Sequence, residues 1–219
     1  VFTALAAVGH SEITVRWNEG TLPENLRAQR VTADFSSVLR TAPLIGRTFS
    51  RADENQGGAP IAIISYGLWQ RRFGGTPDII GARLDSHPAS FEIVGVMPPG
   101  FAYPLDTYIV DTRETVNVWL PYVFSSDERV RSNDMGFNLH VVGRLRDGVS
   151  IEQAQARLDQ ITAVIAAETP QWVMDRAKVE PLLQVVTRGV RTWMVMLLAA
   201  VSFVLLIACV NLANLLLVR

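Results

Sequence analysis

The first 33 positions alternate. Ile13, Val15 and Trp17 are apolar and their neighbours Thr14 and Arg16 are polar, the period-two pattern of a half-buried strand. Asn18-Glu19-Gly20 and Pro23 predict a turn, and Leu26 to Val31 (LRAQRV) a returning strand. Asp34 stands at the cap position of a short helix, Phe35 to Arg40, with Phe35, Val38 and Leu39 on one face. Pro43 stops that helix, and Gly46 permits a turn before Phe49. Residues 50–59 are polar and glycine-containing and predict a surface loop. Asp53 and Glu54 within it, like Asp127 and Glu128 later, read as solvated turn carboxylates. Ile61 to Ile64 is wholly apolar, as a strand covered on both faces should be. Ser65 then caps a helix that sets Leu68, Trp69 and Phe73 on one side and Gln70, Arg71 and Arg72 toward water. Gly74-Gly75 ends it.

Two further strands are predicted around Ala82 to Asp85 and Ser90 to Met97, joined by a loop with His87-Pro88. In the second, Phe91, Ile93 and Gly95 alternate with Glu92, Val94 and Val96 until Pro98-Pro99-Gly100 cuts the pattern off. Residues 100–137 lack periodicity and read as loop or insertion, apart from a strand-like Val116 to Tyr122. Leu139 to Leu145 is a strand, and Asp147-Gly148 turns. Ser150 opens a helix with Gln153 at capping-box spacing. Ile151, Ala154, Leu158, Ile161 and Ile165 carry that helix toward Pro170. Val179 to Val186 reads as a last strand. Strands and helices are mixed without regular βαβ alternation, which predicts an α+β domain.

The end of the chain obeys no such pattern. Trp193 to Val218 runs for 26 residues without a charge, flanked by Arg188 and Arg191 before it and Arg219 after it. A helix of about 20 apolar residues crosses the hydrocarbon core, and aromatic and cationic residues anchor its ends. The chain opens on Val1 and ends one residue past the run, so it reads as a piece of a longer membrane protein. Asn211 and Asn214, three apart, share a helix face with small residues nearby at Ala208, Cys209 and Ala213. An unpaired amide in lipid is costly, so both predict packing against other membrane helices.

Composition narrows the function further. The 219 residues carry 20 basic and 21 acidic side chains, a net charge of -1, with no basic block; nothing favours nucleic acid as a partner. The mean hydropathy of +0.21 is raised by the terminal run. The one cysteine, Cys209, lies in that run, so the soluble part holds neither disulfide nor thiolate metal site. There is no G-x-x-x-x-G-K-[ST] and no G-x-S-x-G. Gly57-Gly58 reads as a turn pair. His10, His87 and His140 lack metal-ligand spacing and read as surface or packing residues. The expectation is therefore a non-enzyme without cofactor or metal.

Several stretches, in order, resemble one family. They are Arg30 to Phe35 (RVTADF) with Ser37-Val38-Leu39, and Pro43 to Phe49 (PLIGRTF), which holds Gly46, Arg47 and Phe49. Next come Ile61 to Gly75 (IAIISYGLWQRRFGG), with Trp69, Arg71, Arg72, Phe73 and Gly74, then Ile80-Gly81, and Ile93 to Phe101 (IVGVMPPGF), with Gly95, Pro98, Pro99 and Gly100. Val141 to Val149 (VVGRLRDGV), with Gly143, Arg144 and Leu145, leads into Glu152-Gln153-Ala154, and Leu206 to Leu216 (LIACVNLANLL) closes the match. Together they resemble the periplasmic core domain of MacB-like, FtsX-type ABC transporter permeases.

The resemblance implies a two-lobed extracytoplasmic domain over residues 1–187. Residues 188–219 would then be a transmembrane helix opening an FtsX-like permease domain in the bacterial inner (cytoplasmic) membrane. It also implies a homodimer with a second permease copy, a cytoplasmic ABC ATPase subunit that drives it mechanically, and an extracytoplasmic protein partner. Two other readings stand beside it. One is a membrane-anchored sensor or scaffold whose outer domain binds a ligand or protein; the other is a membrane-tethered enzyme. The missing catalytic constellation counts against the enzyme, and the paired asparagines count against a simple tether.

Overall fold

Alternation at the N-terminus extends further than the stretch around Ile13. The computed structural model describes residues 1–17, 22–87, 89–101, 103, 116–124, 139–168 and 177–217, and β1 covers Phe2–Val15. Its second half pairs antiparallel with β2 (Glu24–Val31), from Val8↔Val31 to Val15↔Glu24. Short strands β3 (Ile45–Gly46), β4 (Ile61–Ile64), β5 (Arg83–Leu84) and β6 (Ser86–His87) follow. Then come β7 (Phe91–Val96), β8 (Val118–Pro121) and β9 (Leu139–Leu145). Among the described residues these strands form one mixed sheet, ordered β3-β7-β4-β8-β2-β1-β6, with β5 also on β7 and β9 also on β1. Two of its pairings, β2 with β8 and β4 with β7, are parallel. The insertion expected over residues 100–137 lies outside the described residues except at 100–101, 103 and 116–124.

Because side chains alternate across a strand, the sheet buries apolar residues on both faces. Ala62 and Ile64 join Val15, Leu26, Ile93, Val118 and Leu120 in one core, while Ile61 and Ile63 join Val8, Val31, Val94 and Trp119 in the other. Each large side chain so buried contributes about 1.5–3 kcal/mol. One helix closes each face. Helix α2 (Tyr66–Phe73) sets Leu68 and Trp69 on the first core, capped by Ser65, whose hydroxyl accepts from Leu68 N at 3.2 Å, and closed by Gly74. Helix α1 (Phe35–Leu39) sets Phe35 and Val38 on the second.

Asp34 stands at the N-cap position, where its carbonyl accepts from Val38 N at 2.9 Å, but its side chain makes no capping bond. Its backbone is already helical and its carboxylate bonds Arg51 at 3.1 Å. The helix stops at Arg40, which takes a left-handed φ of 54°, before Pro43 is reached. The polar stretch after Phe49 is not plain loop either. Arg51–Glu54 is a 3-10 helix with a capping box between Ser50 and Asp53.

Helix α3 (Ile151–Glu168) starts at the Ser150 box, where Ser150 N donates to Gln153 Oε1 at 3.0 Å and Gln153 N to Ser150 Oγ at 3.2 Å. Of its apolar stripe only Ala154 is fully buried. Val179 to Val186 is not a strand. Residues 177–181 are irregular, and helix α4 (Leu182–Leu217) begins straight after Pro181, whose carbonyl accepts from Gln184 N at 2.9 Å. The apolar residues there suit either structure by periodicity; proline at the head of the segment favours a helix start.

By contacts the chain forms two units, Val1–Val179 and Glu180–Arg219. In the second, Trp193–Asn214 is 22 residues with a mean hydropathy of 2.7, and none of it is buried. At 1.5 Å per residue this is about 33 Å, long and apolar enough to cross a bilayer core of about 30 Å.

Candidate functional site

Strand β3 is two residues long because the chain must pass β7 closely there. Gly46 pairs with Gly95 at a φ of +83°, and a Cβ on Gly46 would collide with the Val94 carbonyl oxygen. A Cβ on Gly95 would stand 2.8 Å from the Arg47 carbonyl oxygen. The two glycines let β3 and β7 approach, and Arg47 N then donates to Val94 O at 2.9 Å. Two residues on, Phe49 enters the core under α1.

The Arg47 side chain is fixed at once. Its guanidinium grips the Asp53 carboxylate at 2.7 and 3.2 Å and also reaches the Thr48 carbonyl. Asp53 accepts further from Ser50 N and Ser50 Oγ, both at 2.7 Å. The Arg47 hydrogen bond is the largest cause holding the Asp53 carboxyl at about 2, against 3.8 ordinarily; burial opposes it and the Ser50 bonds add to it. Its neighbour Glu54 accepts from Ala33 N at 2.6 Å. These two carboxylates are therefore bonded groups, not solvated turn residues. They join Arg30 to Phe35 to Pro43 to Phe49, two stretches of the family resemblance. The Ser50-x-x-Asp53 spacing, a capping-box pattern, carries the signal that would have found Asp53; the bond from Ala33 to Glu54 has no such local mark. A cleft of about 250 Å³ adjoins this corner, lined by Leu5, Ala7, Thr32, Asp34, Arg51 and Glu54 among others.

A second cluster surrounds Glu24. Trp17 Nε1 donates to it at 2.6 Å, Arg71 reaches it at 3.3 Å, and Arg72 makes a very short contact. Arg72 also lies over the Trp17 ring, 4.9 Å from its centroid, and Phe73 meets that ring edge-on at 5.8 Å. Burial raises the Glu24 carboxyl, but the Trp17 and Arg72 hydrogen bonds and the two arginine charges outweigh it and hold the group below 4.5. Arg71 and Arg72 thus fasten the end of α2 to β2 instead of simply facing water. Trp69 Nε1 donates to Thr76 O at 2.9 Å, closing the turn after Gly74.

The other motif residues are spread over the domain. Pro98, Pro99 and Gly100 form a turn in which Phe101 N reaches Pro98 O at 3.2 Å and Gly100 takes a φ of +76°, the sign a type II turn requires. The turn delivers Phe101 to an aromatic cluster with Phe35, Tyr103 and Trp119. Among the described residues, Tyr103 OH and Trp119 Nε1 are buried there without a hydrogen-bond partner, as is Gln29 Oε1 on β2. Gln29 and Trp119 are paired in register. On β9, Arg144 donates through Nε and Nη2 to Val38 O at 2.8 and 2.5 Å, satisfying a carbonyl at the end of α1. Gly143 lies against Leu5 and Phe2, and Leu145 pairs with Phe2.

Asn211 and Asn214 lie on α4, exposed, and their amides make no hydrogen bond among the described residues; Ser202, by contrast, bonds back to Leu198 O at 2.8 Å. Among the described residues, no three His, Cys, Asp or Glu side chains group as a metal ion would need. His10 stands 3.8 Å from Glu12. The described polar clusters brace strands and helices against one another, and none sets a nucleophile beside a base.

Residues 2–161 match the family described as the MacB-like periplasmic core domain. No curated protein matches the chain. Among solved structures the chain is similar to the extracellular domain of the noncanonic ABC-type transporter YknZ from Gram-positive bacteria, at 16% identity and a TM-score of 0.53 over 82% of each chain. It is also similar to the periplasmic region of MacB from Actinobacillus actinomycetemcomitans, at 12% identity and a TM-score of 0.52, over 76% of this chain and 68% of that one. A domain of a permease protein from Porphyromonas gingivalis gives 16% identity and a TM-score of 0.52, over 84% and 79%. At these identities the likeness to the solved structures is one of fold.

Proposed function

Because the chain belongs to the MacB-like periplasmic core domain family, we propose that it is the extracytoplasmic part of an ABC transporter permease, driven by a separate cytoplasmic ATPase. The observation that carries this reading is the apolar helix Trp193–Asn214, which follows the domain on the same chain. Residues 1–187 are the outer domain. Residues 188–219 open the permease domain in the cytoplasmic membrane of a bacterium.

The mechanism is mechanical. The ATPase closes on nucleotide, the membrane helices carry that motion outward, and the outer domain acts on a substrate or a protein partner outside the membrane. Two features support it. The polar clusters at Arg47 and Glu24 tie strands, helix α2 and the 3-10 turn of the domain to one another. On α4, Asn211 and Asn214 carry two amides without a partner among the described residues; exposed to lipid they would be costly, a cost that neighbouring helices remove. Those neighbours are the remaining permease helices and a second copy of the permease.

Labelling tests the placement. With Cys209→Ser as background, Glu12→Cys should react with a membrane-impermeant maleimide in intact cells. Reaction only after lysis would put the domain in the cytoplasm and end the proposal. Replacing both Asn211 and Asn214 with Leu should weaken membrane assembly and uncouple ATP hydrolysis from the outer domain. Unchanged assembly and coupling would remove the packing role.

A further inference from the structure

Two residues, Glu180 and Pro181, lie between the last residue of the first unit, Val179, and the first residue of α4, Leu182. From Val179 to Leu182 a fully extended chain spans about 10 Å, and proline stiffens it. A displacement that would carry the helix start beyond this reach from Val179 must be passed to whatever holds Val179.

Gln155, in the second turn of α3, holds it. Gln155 Oε1 accepts from Val179 N at 2.7 Å, and Gln155 Nε2 donates to Ala177 O at 2.9 Å. The other Nε2 hydrogen goes to Asp159 Oδ1 at 2.8 Å, which fixes the amide's orientation. In an extended segment the carbonyl of one residue and the N–H of the second residue on point to the same side. One carboxamide thus makes the two-point contact that a neighbouring strand would make, in a stretch without regular structure of its own. An apolar side chain of equal reach would fill the space and hold nothing.

We propose that Gln155 is the positioning residue that anchors residues 177–179 to α3, so that motion of the membrane helix is delivered to the outer domain. This inference rests on the mechanical reading given above. The test uses the complete permease with its ATPase in lipid nanodiscs, comparing the parent with Gln155→Leu and Gln155→Glu. Hydrogen exchange at Val179 tests the anchor alone. It should quicken about tenfold or more in Gln155→Leu and less in Gln155→Glu, which keeps an acceptor, while β4 amides stay protected. No change at Val179 overturns the anchor.

Spin labels at Glu12→Cys in two copies, on the Cys209→Ser background, test the coupling. The parent should show a distance change between nucleotide-free and ATP-trapped states. Gln155→Leu should lose at least half of that change at an unaltered ATP hydrolysis rate. Faster exchange at Val179 with the full distance change overturns the coupling role. A parent that shows no distance change overturns the mechanical reading itself, while the exchange result still decides whether Gln155 holds the segment.

Discussion

Replacing Asp53 with asparagine removes one charge from a carboxylate that accepts four bonds, two from Arg47 and two from Ser50. The folded state holds this carboxyl at about 2 against 3.8. At about 1.4 kcal/mol per pH unit, that difference amounts to about 2 kcal/mol at neutral pH. The Asp53 side chain is 15% exposed but Arg47 is 52% exposed, so water screens the pair and about 1–2 kcal/mol is expected. A depressed folded value means that the stability is present above pH 3.8 and lost as pH falls toward 2. The assay is urea unfolding followed by tryptophan fluorescence, on parent, Asp53→Asn, Arg47→Met and the double variant, from pH 7 down to pH 3. Asp53→Asn should cost about 1–2 kcal/mol at pH 7, most of it shared with Arg47→Met in the double-mutant cycle. The gap between parent and Asp53→Asn should narrow below pH 4. A cost under about 0.5 kcal/mol, or one that stays constant down to pH 3, would mean an ordinary screened surface pair and refute the brace.

Other changes follow from the same geometry. Gly46→Ala places a Cβ into the Val94 carbonyl at a positive φ and should cost at least about 2 kcal/mol, measured by thermal unfolding; a cost near zero would mean that β3 can move away. Glu24→Gln should cost about 1 kcal/mol at neutral pH. Because the Glu24 carboxyl is held below 4.5, that difference should disappear as pH falls through the ordinary carboxylate range; one that persists in acid would point to packing alone. Tyr103→Phe removes a buried hydroxyl that has no partner among the described residues, so it should be neutral or stabilising by about 1 kcal/mol in urea unfolding. A loss of more than about 1 kcal/mol would show that the hydroxyl is bonded after all.

Local chemistry was legible in the sequence and long-range pairing was not. Ile61 to Ile64, the caps at Ser65 and Ser150 and the strand Leu139 to Leu145 stand where their patterns place them, because each depends on residues within a turn or two. The carboxylate Glu54 was misread because its partner acts from outside the loop, as does Arg47, one of the two partners of Asp53. Ala33 lies 21 positions from Glu54, and Arg47 is buttressed by its place beside β7. Arg71 and Arg72 were set toward water for a similar reason, since Glu24 lies 47 and 48 positions away. Val179 to Val186 failed because a short apolar run fits strand and helix equally, and only Pro181 distinguishes them. The mixed order of the sheet, with parallel pairs at β2·β8 and β4·β7, leaves no mark in any one strand's periodicity.

The strongest test of the account is to purify the complete membrane protein containing this chain by an affinity tag, from its native membrane in mild detergent. A permease of this kind should bring down an ABC ATPase subunit in fixed stoichiometry, with vanadate-sensitive ATP hydrolysis that Asn211→Leu with Asn214→Leu reduces. Purification without an ATPase, or with a signalling enzyme in its place, would contradict it.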